Sequence, residues 1–128
     1  MEPIRFYIKP EPKPRMTQRD KWAKRPAVVR YHAFCDGLRL LWGSRVVPDS
    51  LHLVFVIEMP KSWSEKKKLM MEGQPHQQRP DIDNYIKAFL DALCEDDSYV
   101  YAVRAEKYWG REASISVSEL QSIDNLIQ

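Results

Sequence analysis

The chain has 128 residues, 44% of them hydrophobic and 30% charged. That is one domain's length, enough to bury about two-thirds of the unfolded surface, so folding requires no metal or disulfide staple. The 20 Lys+Arg and 18 Asp+Glu leave a net charge of +2, and the longest apolar run, Leu53–Ile57, is far too short to span a membrane.

Ile4-Arg5-Phe6-Tyr7-Ile8 alternates apolar and polar residues except at Tyr7 and reads as a first strand. Pro10, Pro12 and Pro14 stop it and open a basic, extended segment that runs through Arg25. From Ala27 to Trp42, the residues Val28, Val29, Phe34, Leu38, Leu41 and Trp42 recur at helical spacing. Asp36-Gly37 weakens the middle of that helix by about 1 kcal/mol, and Gly43-Ser44 ends it. Leu51 to Ile57 is β-branched and aromatic, as a central strand requires, and Pro60 closes it. Ser62-Trp63-Ser64-Glu65 reads as a capping box opening a short helix through Met71.

Gly73 to Arg79 has no periodicity and is expected to be a mobile loop. Asp83 to Leu93 predicts a helix with Ile86, Phe89, Leu90 and Leu93 on one face. After a turn at Glu95–Ser98, Tyr99–Trp109 and Glu112–Leu120 alternate around Gly110 and predict a hairpin. Gln121–Gln128 reads as a weak helix or a flexible tail. The order of elements predicts a single α+β domain over residues 1–128. It is a two-layer fold with helices packed on one face of a small mixed or antiparallel sheet of about four strands.

Cys35 and Cys94 have no CxxC spacing and fall among apolar residues, as small core hydrophobes do, which points to a reducing cytoplasm. Met1-Glu2-Pro3 lacks the basic-then-apolar build of a secretory leader. His32, His52 and His76 are scattered, with no cysteine at zinc-ligand spacing from any of them. Charge, in contrast, is ordered along the chain. Residues 1–45 carry 11 Lys/Arg against 4 Asp/Glu, residues 46–79 carry 5 against 4, and residues 80–128 carry 4 against 10. A basic first third and an acidic last third fit a polyanion partner and a concentrated carboxylate site. On charge alone, a salt-bridged fold whose halves neutralise one another is the simpler reading.

The informative stretch is Arg79-Pro80-Asp81-Ile82-Asp83-Asn84-Tyr85-Ile86-Lys87, followed by Asp91 and Asp96-Asp97. With Asp81–Asp83 extended, side chains two apart lie on one side and both carboxylates face the positive end of the following helix. Lys87 lies one helical turn after Asp83. Two ordered carboxylates and a third from elsewhere form a hard-oxygen site suited to Mg²⁺. Such an ion polarises a phosphoryl oxygen and activates water, and a nearby ammonium stabilises the charge that builds on phosphorus. The same residues also fit a helix cap at Asp81 or Asp83, an ordinary Asp83–Lys87 ion pair and a turn at Asp96-Asp97.

From Arg79 to Val100 the chain resembles the RusA family of Holliday junction resolvases. The family pattern Asp-x-Asp-Asn-x-x-Lys-x-x-x-Asp-x-Leu, then a paired acidic motif before a strand, is matched from Asp81 to Leu93 and at Asp96-Asp97. Pro12-Lys13-Pro14-Arg15-Met16-Thr17 is similar to the basic segment of phage-type members. The resemblance implies that Asp81, Asp83 and Asp97 bind metal (Mg²⁺, with Mn²⁺ as substitute), that Lys87 is the catalytic lysine, and that Asn84 and Asp91 support them. The segment between Leu93 and Asp96 is shorter than in members with a glycine-containing loop there. That leaves Asp96 and Asp97 open as the third carboxylate, with Asp97 favoured because it directly precedes the strand.

The resemblance further implies a homodimer acting on branched DNA, nicking a four-way junction symmetrically in recombination and repair. Lys13, Arg15, Arg19, Lys66, Lys67, Lys68 and Arg79 are the expected phosphate contacts. Trp22, Tyr31 and Trp63 fit base stacking or plain packing. Competing readings are a nuclease for other branched DNA and a non-catalytic DNA-binding relic. A PD-D/ExK nuclease has its first element in Pro80-Asp81, but Glu106-Lys107 are adjacent and lack the acid-x-Lys spacing.

Overall fold

In the computed structural model, which describes residues 2–15 and 25–120, the strongest alternation in the chain builds the centre of the sheet. Strand β2 (Ser50–Glu58) turns Leu51, Leu53 and Phe55 fully inward, while His52, Val54 and Val56 lie half-buried on the other face. Around it lie β1 (Ile4–Phe6), β3 (Ala102–Gly110) and β4 (Ser114–Ser118), in the sheet order β1-β4-β2-β3. β2 pairs antiparallel with β4 and parallel with β3, so the sheet is mixed and the α+β expectation holds. β1 is shorter than the alternation from Ile4 to Ile8 implied, with Tyr7 exposed beyond its end.

Helix α1 (Pro26–Trp42) and helix α3 (Ile82–Leu93) cover the inward face of the sheet. α1 buries Val28, Tyr31, Phe34, Cys35, Leu38 and Trp42, whereas Val29 and Leu41 of the expected stripe point out. α3 buries Tyr85, Ala88, Phe89 and Ala92, and the expected Ile86, Leu90 and Leu93 flank that stripe. The small Ala88 and Ala92 make the difference. They let α1 approach closely enough for Arg39 Nε to donate to the Ala92 carbonyl at 2.7 Å.

The short helix α2 (Glu65–Met71) buries no side chain. Its cap is Ser64, whose Oγ accepts from Lys67 N–H at 3.2 Å, so the capping box expected at Ser62–Glu65 is not formed. Glu65 turns instead to Arg111, 2.6 Å away.

The expected hairpin is absent. β3 and β4 are not neighbours, because β2 lies between them and the chain crosses over its end after Gly110. A Cβ at Gly110 would drive into Val56 Cγ1, so the crossing requires a residue without one. Gly110 also accepts from Met59 N–H at 2.9 Å, tying the crossing to the end of β2. Both cysteines are free thiols, Cys35 buried and Cys94 half-buried. Among the described residues no helix is long and apolar enough to cross a membrane. The tail at residues 121–128 lies outside the described residues.

Candidate active site

The N-terminus of α3 carries the two central carboxylates. Asp81 stands at the N-cap in extended conformation (φ −67°, ψ 148°), after a cis Arg79–Pro80 peptide. Asn84 N–H donates to the Asp81 carbonyl at 3.1 Å, so helical bonding has already begun. Asp83 is therefore in the first turn, and the extended Asp81–Asp83 segment read from the spacing is not formed. Both carboxylates nevertheless sit at the positive end of the helix dipole. The Asp81 side chain makes no capping hydrogen bond. Its carboxylate is not consumed by the helix it starts.

Asp83 Oδ2 lies 3.5 Å from Lys87 Nζ, one turn along the same face. Both side chains are about 60% exposed, and such a pair contributes no more than about 0.5 kcal/mol. It therefore opens easily to another ligand. Two hard carboxylate oxygens beside an ammonium fit a Mg²⁺ ion that keeps several waters. Among the described residues, no group of three or more His, Cys, Asp and Glu converges as a metal site.

The segment that delivers Asp81 is held rather than mobile. Gly73 N–H donates to Trp109 O at 2.9 Å, Trp109 N–H to Gln74 O at 2.9 Å, and His76 N–H to Lys107 O at 3.0 Å. These bonds zip it along β3. The buried His76 ring sits 4.4 Å from the Trp109 ring. Lys107 Nζ then donates to the carbonyls of Gln78, at 2.6 Å, and Pro80, at 2.7 Å. Burial lowers the pKa of this ammonium, against the pull of Asp81. The polarity of the loop sequence concealed this, since its partners are the carbonyls and amides of a strand more than thirty residues on.

On the other side of α3 runs the basic N-terminal segment. Lys13 N–H donates to Asn84 O at 3.0 Å, and its ammonium lies 2.5 Å from Asp91 Oδ2. The same Asp91 oxygen accepts from Tyr31 Oη–H at 2.7 Å. Burial raises the pKa of the Asp91 carboxyl, but Lys13 and Tyr31 outweigh it and hold it below the usual value. Lys13, Pro14, Arg15, Asn84 and Lys87 line an open groove of about 420 Å³ beside the carboxylates.

The remaining expected residues are dispersed. Asp97 lies past the C-terminal end of α3, close enough to Cys94 to raise its thiol pKa alongside burial. The 12 residues of α3 are about 18 Å long, so the fold of the chain does not bring Asp97 to Asp81 and Asp83. Asp96 Oδ1 accepts from Ser98 N–H at 3.0 Å and is spent on the turn. Lys66, Lys67 and Lys68 are on α2, with Lys67 Nζ 4.2 Å from the Trp63 ring centroid. Arg79 is exposed just before Pro80. Arg19 and Trp22 lie outside the described residues. Tyr31 is buried and bonded to Asp91, and Trp63 packs on Trp109 at 4.8 Å, so both act in packing.

Residues 8–118 match the family model described as endodeoxyribonuclease RusA. Over 78 residues the chain is 33% identical to the "Uncharacterized protein YqaN" of Bacillus subtilis (strain 168), a match covering 55% of each chain. The chain thus spans about half the length of the curated relative it matches.

Proposed function

The chain belongs to the RusA endodeoxyribonuclease family, and on that premise we propose that it is a Mg²⁺-dependent enzyme that cuts four-way DNA junctions by paired nicks. One observation carries the reading. A carboxylate left free at the N-cap of α3 stands with Asp83 and Lys87 beside a groove lined by Lys13 and Arg15. Residues 1–128 form a single RusA-like domain, working on DNA in the cytoplasm during recombination and repair.

Asp81 and Asp83 would hold Mg²⁺, or Mn²⁺ in its place, through hard oxygen atoms. When bound, the ion supplies a polarised phosphoryl oxygen and a water of lowered pKa. Lys87 leaves its weak pairing with Asp83 and places its ammonium against the charge that develops on the phosphoryl group. Arg15, together with Lys66, Lys67, Lys68, Arg79 and Arg19, neutralises flanking phosphates. Lys13 already spends its ammonium on Asp91, so its role there is to hold the arm against α3.

The third carboxylate comes from a second copy. Asp97 is a helix length from the pair in its own chain, so Asp97 of the partner subunit completes the site in a homodimer. Two such sites related by a two-fold axis match the symmetry of a four-way junction.

The test is cleavage of a synthetic four-way junction beside fork and linear duplex controls, with Mg²⁺ and with EDTA. Asp83→Asn is expected to abolish cutting while junction binding stays intact or tightens; cutting at the wild-type rate refutes the assignment. Mixing Asp83→Asn with Asp97→Asn subunits is expected to restore single nicks. Only a site shared between subunits leaves one intact copy in that heterodimer, and a dead mixture places Asp97 in its own chain's site.

A further inference from the structure

Lys107 sits where the strand pattern calls for an apolar residue. It is on the same side of β3 as Ala105 and Trp109 and pairs in register with the fully buried Phe55. An ammonium in such a position is costly unless hydrogen-bonded. Its bonds go to the carbonyls of Gln78 and Pro80, at 2.6 and 2.7 Å, in the segment that runs directly into Asp81. Its own carbonyl accepts from His76 N–H at 3.0 Å. One residue thus holds the segment 76–80 at both ends. Because the Asp81 side chain makes no capping bond, the backbone that delivers it sets its direction.

We propose that Lys107 is a positioning residue for Asp81: its ammonium clamps the Gln78 and Pro80 carbonyls and fixes the path by which the chain brings that carboxylate beside Asp83. The inference rests on Asp81 being a metal ligand. Outer partners of ligating groups typically govern about 10–100-fold in metal affinity. Lys107 stands one step further back, acting through the backbone.

The experiment compares Lys107→Met and Lys107→Arg with wild-type protein in Mg²⁺ titrations of four-way junction cleavage. Lys107→Met is expected to raise the half-saturating Mg²⁺ concentration about tenfold, with kcat at saturating Mg²⁺ close to wild type. Lys107→Arg, which keeps a donor fork for two carbonyls, recovers most of that loss. A Met variant with lowered kcat and unchanged half-saturation overturns the proposal. Amide exchange without metal or DNA provides a readout independent of activity. The amides of His76 and Asn84 are expected to lose protection in the Met variant and to keep it in the Arg variant. Unchanged exchange in the Met variant overturns the clamp. A wild-type protein that cuts no DNA refutes the proposed function alone, and the exchange result still decides the clamp.

Discussion

Asp91 belongs to the family pattern, yet the structure ties it to Lys13 and Tyr31, and these two roles predict different phenotypes. Asp91→Ala removes one charge-assisted bond to Lys13 at 2.5 Å and leaves the Tyr31 hydroxyl without its acceptor. Hydrogen bonds to charged groups contribute about 1.5–3 kcal/mol when buried. Here both charged side chains are about one-third exposed, which places the Lys13 bond at or below the low end, about 1 kcal/mol. Stranding the hydroxyl of a buried tyrosine adds about 1–2 kcal/mol. The total is about 2–3 kcal/mol. For 128 residues, an unfolding entropy of about 270 cal/mol/K converts this to a melting temperature lowered by about 7–11 °C.

The assay is thermal unfolding of wild type, Asp91→Ala, Tyr31→Phe and the double variant. Tyr31→Phe alone costs about 1 kcal/mol, and the double variant falls well short of the sum, because no stranded hydroxyl remains. The pH dependence has a fixed sign. The Asp91 carboxyl is held below its ordinary value of 3.8 in the fold, so its stabilisation is present above that value and lost as pH falls below it. The gap between wild type and Asp91→Ala therefore narrows in acid. Half-saturating Mg²⁺ for cleavage stays at the wild-type value, since Asp91 lies two turns beyond Asp83. An Asp91→Ala protein that melts like wild type but needs tenfold more Mg²⁺ would refute the clasp and make Asp91 a ligand.

Gly110→Ala forces a methyl group into Val56 Cγ1. Overpacking of this kind costs about 1–3 kcal/mol, and an unchanged melting curve would mean that Val56 does not press on the crossing at Gly110. Burial, and then the charge of Lys107, lowers the pKa of His76 in the fold, while the unfolded chain takes up the proton near 6.5. Stability must therefore fall as pH drops below 6.5. His76→Phe, which needs no proton, should melt with a flatter pH profile between 6.5 and 5; parallel profiles for the two proteins would contradict this.

What the sequence disclosed follows from what is local. The alternation of Leu51, Leu53 and Phe55 located the central strand, and the run from Asp83 to Leu93 located α3, because each pattern reports which side of one element faces the core. Neither pattern says which strand lies alongside. Tyr99–Trp109 and Glu112–Leu120 flank a short turn, and adjacency in sequence favoured a hairpin, yet β2 takes the place between them. Strands flank it on both sides, and the helices cover its inward residues. The isolated Gly110 was the one trace of this, as a residue where another side chain approaches the backbone.

The candidate site was legible to the same extent. Asp81, Asp83 and Lys87 fall within one seven-residue stretch, with Asp83 and Lys87 one helical turn apart, and could be read together. Asp97 could be placed only by knowing the length and direction of α3. Lys107 carried a fainter signal, a cation in the apolar phase of a strand. Such a residue must find buried acceptors somewhere. The acceptors here are main-chain carbonyls, which have no letter in the sequence, so the pattern could announce that Lys107 had partners but not that they were the two peptides leading into Asp81.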